Sequence, residues 1–201
     1  STSVDCLAIN PLNTSTLFAG TFAGGVFKSS NSGANWSPAN NGLVASKIYT
    51  LAINPSMPTT LYAGSYGGGI YKSLDGGLHW SAINNGLTQI YIYSLAIDPV
   101  TTDTVYAGTF TGGVFKSTNG GGEWAASNTG LTLSGISELV IDPLSPATIY
   151  AGTYNGMYKS TDGAGNWEPF NTGITSNAIT DLALNATTPS ILYAGTSDAG
   201  V

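Results

Sequence analysis

The chain has 201 residues, of which 42% are hydrophobic and only 8% are charged, so it has ample material for a core. Its formal net charge is −6 and its five basic residues are all lysines, which argues against nucleic acid and anionic membrane surfaces as partners. No stretch approaches the roughly 18 to 20 apolar residues of a membrane-spanning segment. The 27 glycines lie between short apolar runs, a pattern typical of many short strands and turns.

Five copies of one repeat run along the chain in register. In the first copy the pattern predicts strand A over Val4 to Ile9, strand B over Thr16 to Thr21, strand C over Val26 to Ser29 and strand D around Trp36. Each copy begins with a string like Leu-Ala-Ile-Asn-Pro, whose first residues follow one another at spacings of 44, 44, 44 and 43 residues: Leu7, Leu51, Leu95, Leu139 and Leu182. Because no segment shows a helical stripe, the sequence predicts an all-β chain.

An eight-residue motif follows strand C in four of the copies. It has Ser first, Asp or Asn third and Trp eighth, with Gly fifth in three copies and Ala164 there in the fourth. The third side chain accepts hydrogen bonds from backbone N–H groups just ahead of it, and glycine supplies the positive φ that a tight turn needs. We interpret the motif as a folding element. Its residues are Ser29, Asn31 and Trp36; Ser73, Asp75, Gly77 and Trp80; Ser117, Asn119, Gly121 and Trp124; and Ser160, Asp162 and Trp167.

This motif resembles the Asp-box, S-x-D-x-G-x-x-W, of bacterial-neuraminidase-type repeats, and the second copy matches it at every position. The resemblance implies an all-β fold, a β-propeller of four-stranded antiparallel blades. Propellers with such repeats include sialidases, xyloglucan-degrading enzymes, sortilin-type receptor domains and photosystem II assembly factors. We expect one array over residues 1–201, with full blades at 3–46, 47–90, 91–134 and 135–177 and a partial fifth blade at 178–201.

The fifth repeat is incomplete, because five full repeats of 44 residues would need 19 residues more than the chain has. A four-stranded blade has two apolar faces, which blades hide by stacking on one another. A blade of two strands would leave an exposed edge, and such an edge invites association. We therefore expect either that the chain is a piece of a longer propeller or that copies associate through the incomplete fifth blade.

The sequence gives little support for catalysis. Sialidases hold the carboxylate of their substrate with arginines, and this chain has none, so the resemblance does not extend to sialidase activity. A xyloglucanase-type enzyme needs two carboxylic acids across a cleft. Glu138 and Asp181 occupy equivalent places in neighbouring inner strands and are the candidates, although solvated channel residues are the plainer interpretation. His79 lacks a second His or a nearby Cys, so we expect no metal site, and no motif predicts a cofactor.

The remaining candidate for function is the rim of the propeller formed by the links between strands B and C and the loops between strands D and A. Aromatic residues recur at one place in the B–C links: Phe22, Tyr66, Phe110 and Tyr154. They could bind a sugar or a protein partner, or they could pack between blades. We predict a non-catalytic, extracellular or periplasmic binding or assembly module, with a glycan or protein as ligand. The alternatives are a fragment of a xyloglucanase-type glycoside hydrolase and a structural subunit of an oligomer or filament.

Overall fold

The computed structural model describes residues 3–176 and 178–201, and in these ranges the chain forms strands, turns and bends but no helix. Four sheets have four strands each and a fifth has two. Within each sheet the strands follow one another in chain order and pair antiparallel. The first strands of successive sheets lie side by side, so the sheets stack in sequence order. This is the predicted arrangement of blades.

The strands occupy corresponding places in the five sheets. The inner strands are β1 (Val4–Ile9), β5 (Ile48–Ile53), β9 (Ile92–Ile97), β13 (Ile136–Ile141) and β17 (Ile179–Leu184). The second strands are β2 (Leu17–Thr21), β6 (Leu61–Ser65), β10 (Val105–Thr109), β14 (Ile149–Thr153) and β18 (Leu192–Thr196). The third strands are β3 (Val26–Ser29), β7 (Ile70–Ser73), β11 (Val114–Ser117) and β15 (Gly156–Ser160). The outer strands are β4 (Ser37–Pro38), β8 (Ser81–Ala82), β12 (Ala125–Ala126) and β16 (Glu168–Pro169).

The inner halves of neighbouring sheets meet at a glycine. The first residue of β5, Ile48, is fully buried and its Cγ2 would lie 2.8 Å from a Cβ on Gly20 of β2. The same close approach recurs at the next three junctions, with Ile92 on Gly64, Ile136 on Gly108 and Ile179 on Gly152. This close approach explains the repeated Ala-Gly of the second strands, because only a residue without a side chain leaves room for the isoleucine of the next sheet.

The eight-residue turns (29–36, 73–80, 117–124 and 160–167), which we name the box turns, share one set of hydrogen bonds. In the second, Ser73 Oγ donates to Asp75 Oδ1 at 2.9 Å and accepts from the Gly77 backbone N–H. Asp75 Oδ1 also accepts from the N–H groups of Leu78 and His79. Asn31 and Asn119 accept through Oδ1 in the same way, so the amide and the carboxylate are equivalent here. The prediction of a folding element agrees with this geometry.

The second, third and fourth box turns each accept a hydrogen bond from a lysine of the preceding sheet. Lys28, Lys72 and Lys116 donate from Nζ to the carbonyls of Gly76, Gly120 and Gly163, respectively, at 2.7–2.8 Å. In the second and third sheets a tyrosine donates to the same carbonyl, Tyr62 to Gly120 and Tyr106 to Gly163. Burial raises the pKa of both tyrosines to about 12, so their hydroxyls remain donors. This contact accounts for three of the four lysines at the repeated position, Lys28, Lys72 and Lys116.

The tryptophans complete these interfaces. The indole Nε1 groups of Trp80, Trp124 and Trp167 donate to backbone carbonyls of the preceding sheet, those of Ala39, Ile83 and Ser127, at 2.8–2.9 Å. These three rings are 2–3% exposed. Trp36, in the first box turn, packs on no other sheet within residues 3–176 and 178–201 and is 38% exposed. The burial of the box tryptophan is thus a property of the interface between sheets and not of the turn alone.

One expectation from the sequence needs correction. Strand D is only two residues long and starts after the tryptophan, because the Trp ring turns back onto the preceding sheet instead of joining the ladder. The inner strand of the first sheet is partly open to solvent, and Val4 and Leu7 are more than half exposed. The fifth sheet has two strands, β17 and β18, as the incomplete fifth repeat predicted.

Gly121→Ala should destabilise the protein by about 2–3 kcal/mol. Gly121 has φ +88°, and an added Cβ would overlap Cδ1 of Ile83, so backbone strain and overpacking add together. The fourth box turn tolerates Ala164 at φ 68° because the residue that corresponds to Ile83 is the smaller Ser127. Adding Ile83→Ser should therefore recover about half of the loss in a urea titration. If the loss in unfolding free energy of the double variant equals the sum of the losses of the two single variants, steric overlap is not the cause.

Candidate functional site

The links between second and third strands and the loops that enter the inner strands lie at one edge of the stacked sheets. Backbone N–H groups in the links donate to carbonyls in these loops, such as Tyr66 N–H to Lys47 O and Phe110 N–H to Tyr91 O, both at 3.0 Å. In the first sheet, Gly25 N–H donates to Ser46 O in the loop that leads to β5. The predicted rim therefore forms a continuous hydrogen-bonded edge.

The four repeated aromatics of the rim are exposed. Phe22, Tyr66, Phe110 and Tyr154 retain 42–53% of their accessible surface. They do not pack in the core between sheets, whose buried aromatics come from the second and third strands and the box turns. Of the two interpretations that the sequence left open, the structure favours the surface one.

Sequence reasoning missed four residues that join these rings. Tyr49 and Tyr93, near the starts of β5 and β9, stack on each other with ring centroids 4.6 Å apart and an interplanar angle of 21°. Tyr93 also stacks on Phe110 at 5.5 Å, and Tyr49 meets Tyr66 edge-on at 5.8 Å. Tyr91 packs edge-on against Tyr66 at 4.7 Å. The rings of the second and third sheets thus form one connected cluster.

The fourth residue, Lys47, joins this cluster to the first sheet. Its Nζ lies 4.2 Å from the ring centroid of Phe22, 4.6 Å from that of Tyr49 and 4.7 Å from that of Tyr66. Three aromatic faces around one ammonium group hold it by cation–π attraction. Lys47 is the one lysine outside the repeated position of the third strands, and its charge lies among the rings of the rim.

We name this surface the aromatic strip, and its members come from four consecutive sheets: Phe22, Lys47, Tyr49, Tyr66, Tyr91, Tyr93, Phe110 and Tyr154. Its ring density is highest in the second and third sheets, since the positions of Tyr49 and Tyr93 carry Asp5, Ser137 and Thr180 in the others. The signal in the sequence was the pair of strings KIYT and YIYS, which differ from their equivalents in the other repeats. Burial, and then the neighbouring Tyr49 hydroxyl, raises the pKa of Tyr93, so this part of the strip is uncharged at neutral pH.

The strip ends in the fourth sheet, where Gly135 replaces Lys47 and Tyr91. A Cβ on Gly135 would lie 2.5 Å from Tyr154 Cε2, so the glycine lets the Tyr154 ring lie close to the backbone. Tyr154 is nonetheless 42% exposed. It forms the end of the strip on this side.

The candidate carboxylates lie on the inner strands β13 and β17. Glu138 Oε1 accepts from Ser94 Oγ at 3.0 Å and from the Leu139 N–H at 3.2 Å, while Asp181 is exposed and caps its own neighbour, Leu182. Burial raises the pKa of Glu138 to about 7, and the charge of Asp181 contributes to the shift. Cys6 occupies the equivalent position of the first sheet, where burial raises its thiol pKa to about 12 and makes it unreactive.

Stability should fall as the pH rises from about 4.5 to 7, because Glu138 ionises in the unfolded chain before it does in the folded one. A carboxyl group whose pKa is raised by folding contributes its full stabilisation only when the pH is below its pKa in the unfolded chain. This contribution is lost once the pH rises above its pKa in the folded protein. For a partly exposed group we expect an effect on the order of 1–2 kcal/mol. Urea titrations at several pH values should show a flatter profile for Glu138→Gln. Identical profiles in the two proteins would contradict the assignment.

His79 lies on the second box turn, where its Nδ1 is 2.7 Å from Asp75 Oδ2. Bonding to the His79 backbone N–H and then to its ring holds the pKa of Asp75 well below its usual range. Among residues 3–176 and 178–201 there is no group of three metal-ligating side chains that could hold an ion. In the same part of the chain, no helix has the length and apolar character needed to cross a membrane.

Solved structures with the same stacking of sheets are numerous. The chain superposes on a GH74 enzyme from Niastella koreensis with a TM-score of 0.81 and 24% identity, over 98% of this chain and 33% of that one. A GH74 xyloglucanase from Xanthomonas campestris gives a TM-score of 0.73 and 18% identity, over 94% and 35%. The extracellular domain of a one-component system from B. thetaiotaomicron gives 0.76 and 20%, over 98% and 26%. The fold is a β-propeller.

These likenesses concern the fold, since each identity is below 25%. The chain spans only 26–35% of the length of these three proteins. No protein-family model and no curated protein sequence matches it. Any function must therefore be argued from the site itself.

Proposed function

We propose that the protein is a non-catalytic binding module that holds an extended carbohydrate against the aromatic strip. The observation that carries this proposal is the connected, exposed row of rings across successive blades. Sugar rings present apolar C–H faces that stack on aromatic side chains, and a single contact of this kind contributes only modestly. A chain of sugars that spans several blades would add such contacts together, as in other multivalent surfaces.

The chemistry of the strip favours a neutral or weakly anionic glycan. Tyrosine hydroxyls at its surface donate and accept hydrogen bonds, and the only charge among the rings is the ammonium group of Lys47. The chain as a whole is acidic, with a formal net charge of −6. A strongly anionic polymer would therefore meet repulsion outside the strip.

The repeat type, the location and the class of ligand are supported by further observations. The hydrogen bonds of the box turns support the assignment of the repeats to the Asp-box type. One of the similar structures is an extracellular domain and another is named a xyloglucanase. These support an extracellular or periplasmic location and a polysaccharide as the class of ligand.

A xyloglucanase-type enzyme is the second candidate, and Glu138 is the observation that favours it. A carboxyl group with a pKa near 7 beside a second acid has the character of a general acid. Against this, the hydrogen bonds from Ser94 and Leu139 hold Glu138 within the packing of neighbouring inner strands. A reducing-sugar assay on β-glucans, with Glu138→Gln and Asp181→Asn as controls, distinguishes the enzyme from the binding module.

The binding proposal is tested with a glycan array, followed by titration calorimetry on the glycan that is retained best. Tyr66→Ala or Phe110→Ala alone should weaken binding several-fold, and the double change should weaken it about 100-fold, because the ligand loses contacts on two blades. Tyr193→Ala removes an equally exposed tyrosine outside the strip and should leave the affinity unchanged. If no array member binds, or if Tyr193→Ala has the same effect as Tyr66→Ala, the strip is not the site.

A further inference from the structure

The same hydrogen-bonding groups and apolar contacts recur at three junctions between sheets. The preceding sheet supplies a lysine donor, a backbone carbonyl for the indole N–H and a second carbonyl for the tryptophan backbone N–H. At the third junction these are Lys116 Nζ, Ser127 O and Thr129 O, which meet Gly163 and Trp167. The preceding sheet also supplies an apolar pocket for the ring, formed at this junction by Val114 and Leu131.

The fourth sheet carries the same set without a box turn against it. The corresponding groups are Lys159 Nζ, Phe170 O and Thr172 O, and within residues 3–176 and 178–201 no hydrogen-bond partner contacts any of the three. Lys159 instead lies 5.4 Å from the ring centroids of Tyr150 and Phe170. Phe170 is itself 43% exposed.

The apolar pocket is present as well. A groove of about 580 Å³ is lined by Met157, Phe170 and Ile174, which correspond in sequence to Val114, Ser127 and Leu131 of the third junction. On its other side the groove is lined by Leu192 and Ala194 of β18. In the four-stranded sheets the second strand pairs with a third strand on its outer edge, as β10 does with β11. Among the described residues, β18 pairs with β17 alone.

We propose that this groove binds a β-hairpin that carries the Ser-x-Asp/Asn-x-Gly-x-x-Trp sequence. The first strand of the hairpin would pair antiparallel with β18. Its tryptophan would enter the pocket between Met157 and Ile174 and donate its indole N–H to Phe170 O. Lys159 would donate to a carbonyl of the turn, as the other three lysines of this position do. The occupant is a polypeptide of the chain's own repeat type, because the interface it completes already occurs three times in the molecule.

A second copy of the chain offers a poorer fit than a free hairpin. The first box turn has an exposed Trp36, but its strands are already paired with β2 in a complete sheet. Placed in the groove, that sheet would bring β1 and β2 into the space that β17 and β18 occupy. A hairpin without inner strands has no such conflict.

A synthetic peptide with the sequence of residues 114–130 tests the proposal on the full chain. We expect saturable binding by fluorescence anisotropy, and slowed hydrogen exchange at amides of β18. A peptide with Trp124→Ala should bind at least ten-fold more weakly, and Lys159→Met in the protein should weaken the parent peptide several-fold. Lys47→Met, a lysine outside the groove, is the matched control and should not affect the affinity.

Three results would overturn the proposal. One is the absence of peptide binding by a folded chain. Another is binding that is unchanged by both Trp124→Ala in the peptide and Lys159→Met in the protein. The third is sedimentation of the chain alone as a dimer that protects β18 from exchange, since the occupant would then be a second copy. Glycan binding by the aromatic strip is measured separately and does not depend on these outcomes.

Discussion

Trp80→Ala should lower the free energy of unfolding by about 3–5 kcal/mol, the usual cost of emptying a large buried aromatic site. Trp80 packs with Val26 and Leu43 of the preceding sheet, and its indole N–H donates to Ala39 O at 2.9 Å. The substitution removes the ring and leaves this carbonyl without its donor. A urea titration followed by far-ultraviolet circular dichroism measures the loss.

The chain supplies its own control for this experiment. Trp36 occupies the same place in the first box turn but is exposed, without a neighbouring sheet over it among the residues that the structure describes. Trp36→Ala should therefore cost about 1 kcal/mol or less. Asp75→Asn should also be mild, since Asn31 and Asn119 make the same hydrogen bonds in their own turns. Equal losses for Trp80→Ala and Trp36→Ala would mean that the ring acts within its turn and not between sheets.

Gly108→Val should destabilise the protein by about 3 kcal/mol or more, although valine is the better strand former. A Cβ at Gly108 would lie 2.6 Å from Cγ2 of Ile136, which is fully buried on the next inner strand. The two sheets would have to separate along their inner halves, and overpacking of this kind is costly. Thermal unfolding and the yield of folded protein report the effect.

Gly195→Val is the matched control for this substitution. Gly195 is the equivalent residue of β18, where the nearest atom to an added Cβ is Thr180 Oγ1 at 3.4 Å. In the part of the chain that the structure describes, no inner strand packs on Gly195, so the change should be close to neutral or slightly stabilising. A comparable loss at both glycines would show that the backbone conformation, and not the approach of the next sheet, requires glycine.

The fold was predictable because local and long-range signals agree in every repeat. The spacing of the leucines, the Asn-Gly and Asp-Gly turns and the placement of Trp80 all indicate the same four-stranded unit. Two details were not predictable. The brevity of strand D follows from the direction in which the tryptophan ring turns, and the exposure of Val4 and Leu7 follows from the position of the first sheet in the stack.

The candidate site was only half predictable. The repeated aromatics, such as Tyr66 and Phe110, were visible because they recur at one place in the repeat. Tyr49 and Tyr93 lie in two inner strands whose sequences show the ordinary alternation of a β-strand, so nothing singled them out. Their stacking depends on how the two neighbouring sheets pack together. Lys47 was overlooked because a single lysine in a loop gives no sign of three rings around it.

At three junctions the lysine and two backbone carbonyls of one repeat meet the box turn of the next, with hydrogen bonds donated from both sides. Each such repeat therefore has two different sides, each complementary to the other. An in-frame duplication of one whole repeat would recreate a complete interface at each of its ends without any new kind of contact. The number of repeats is thus free to change by duplication, while substitutions at the rim alter what the surface binds. In such a lineage, length and recognition evolve independently.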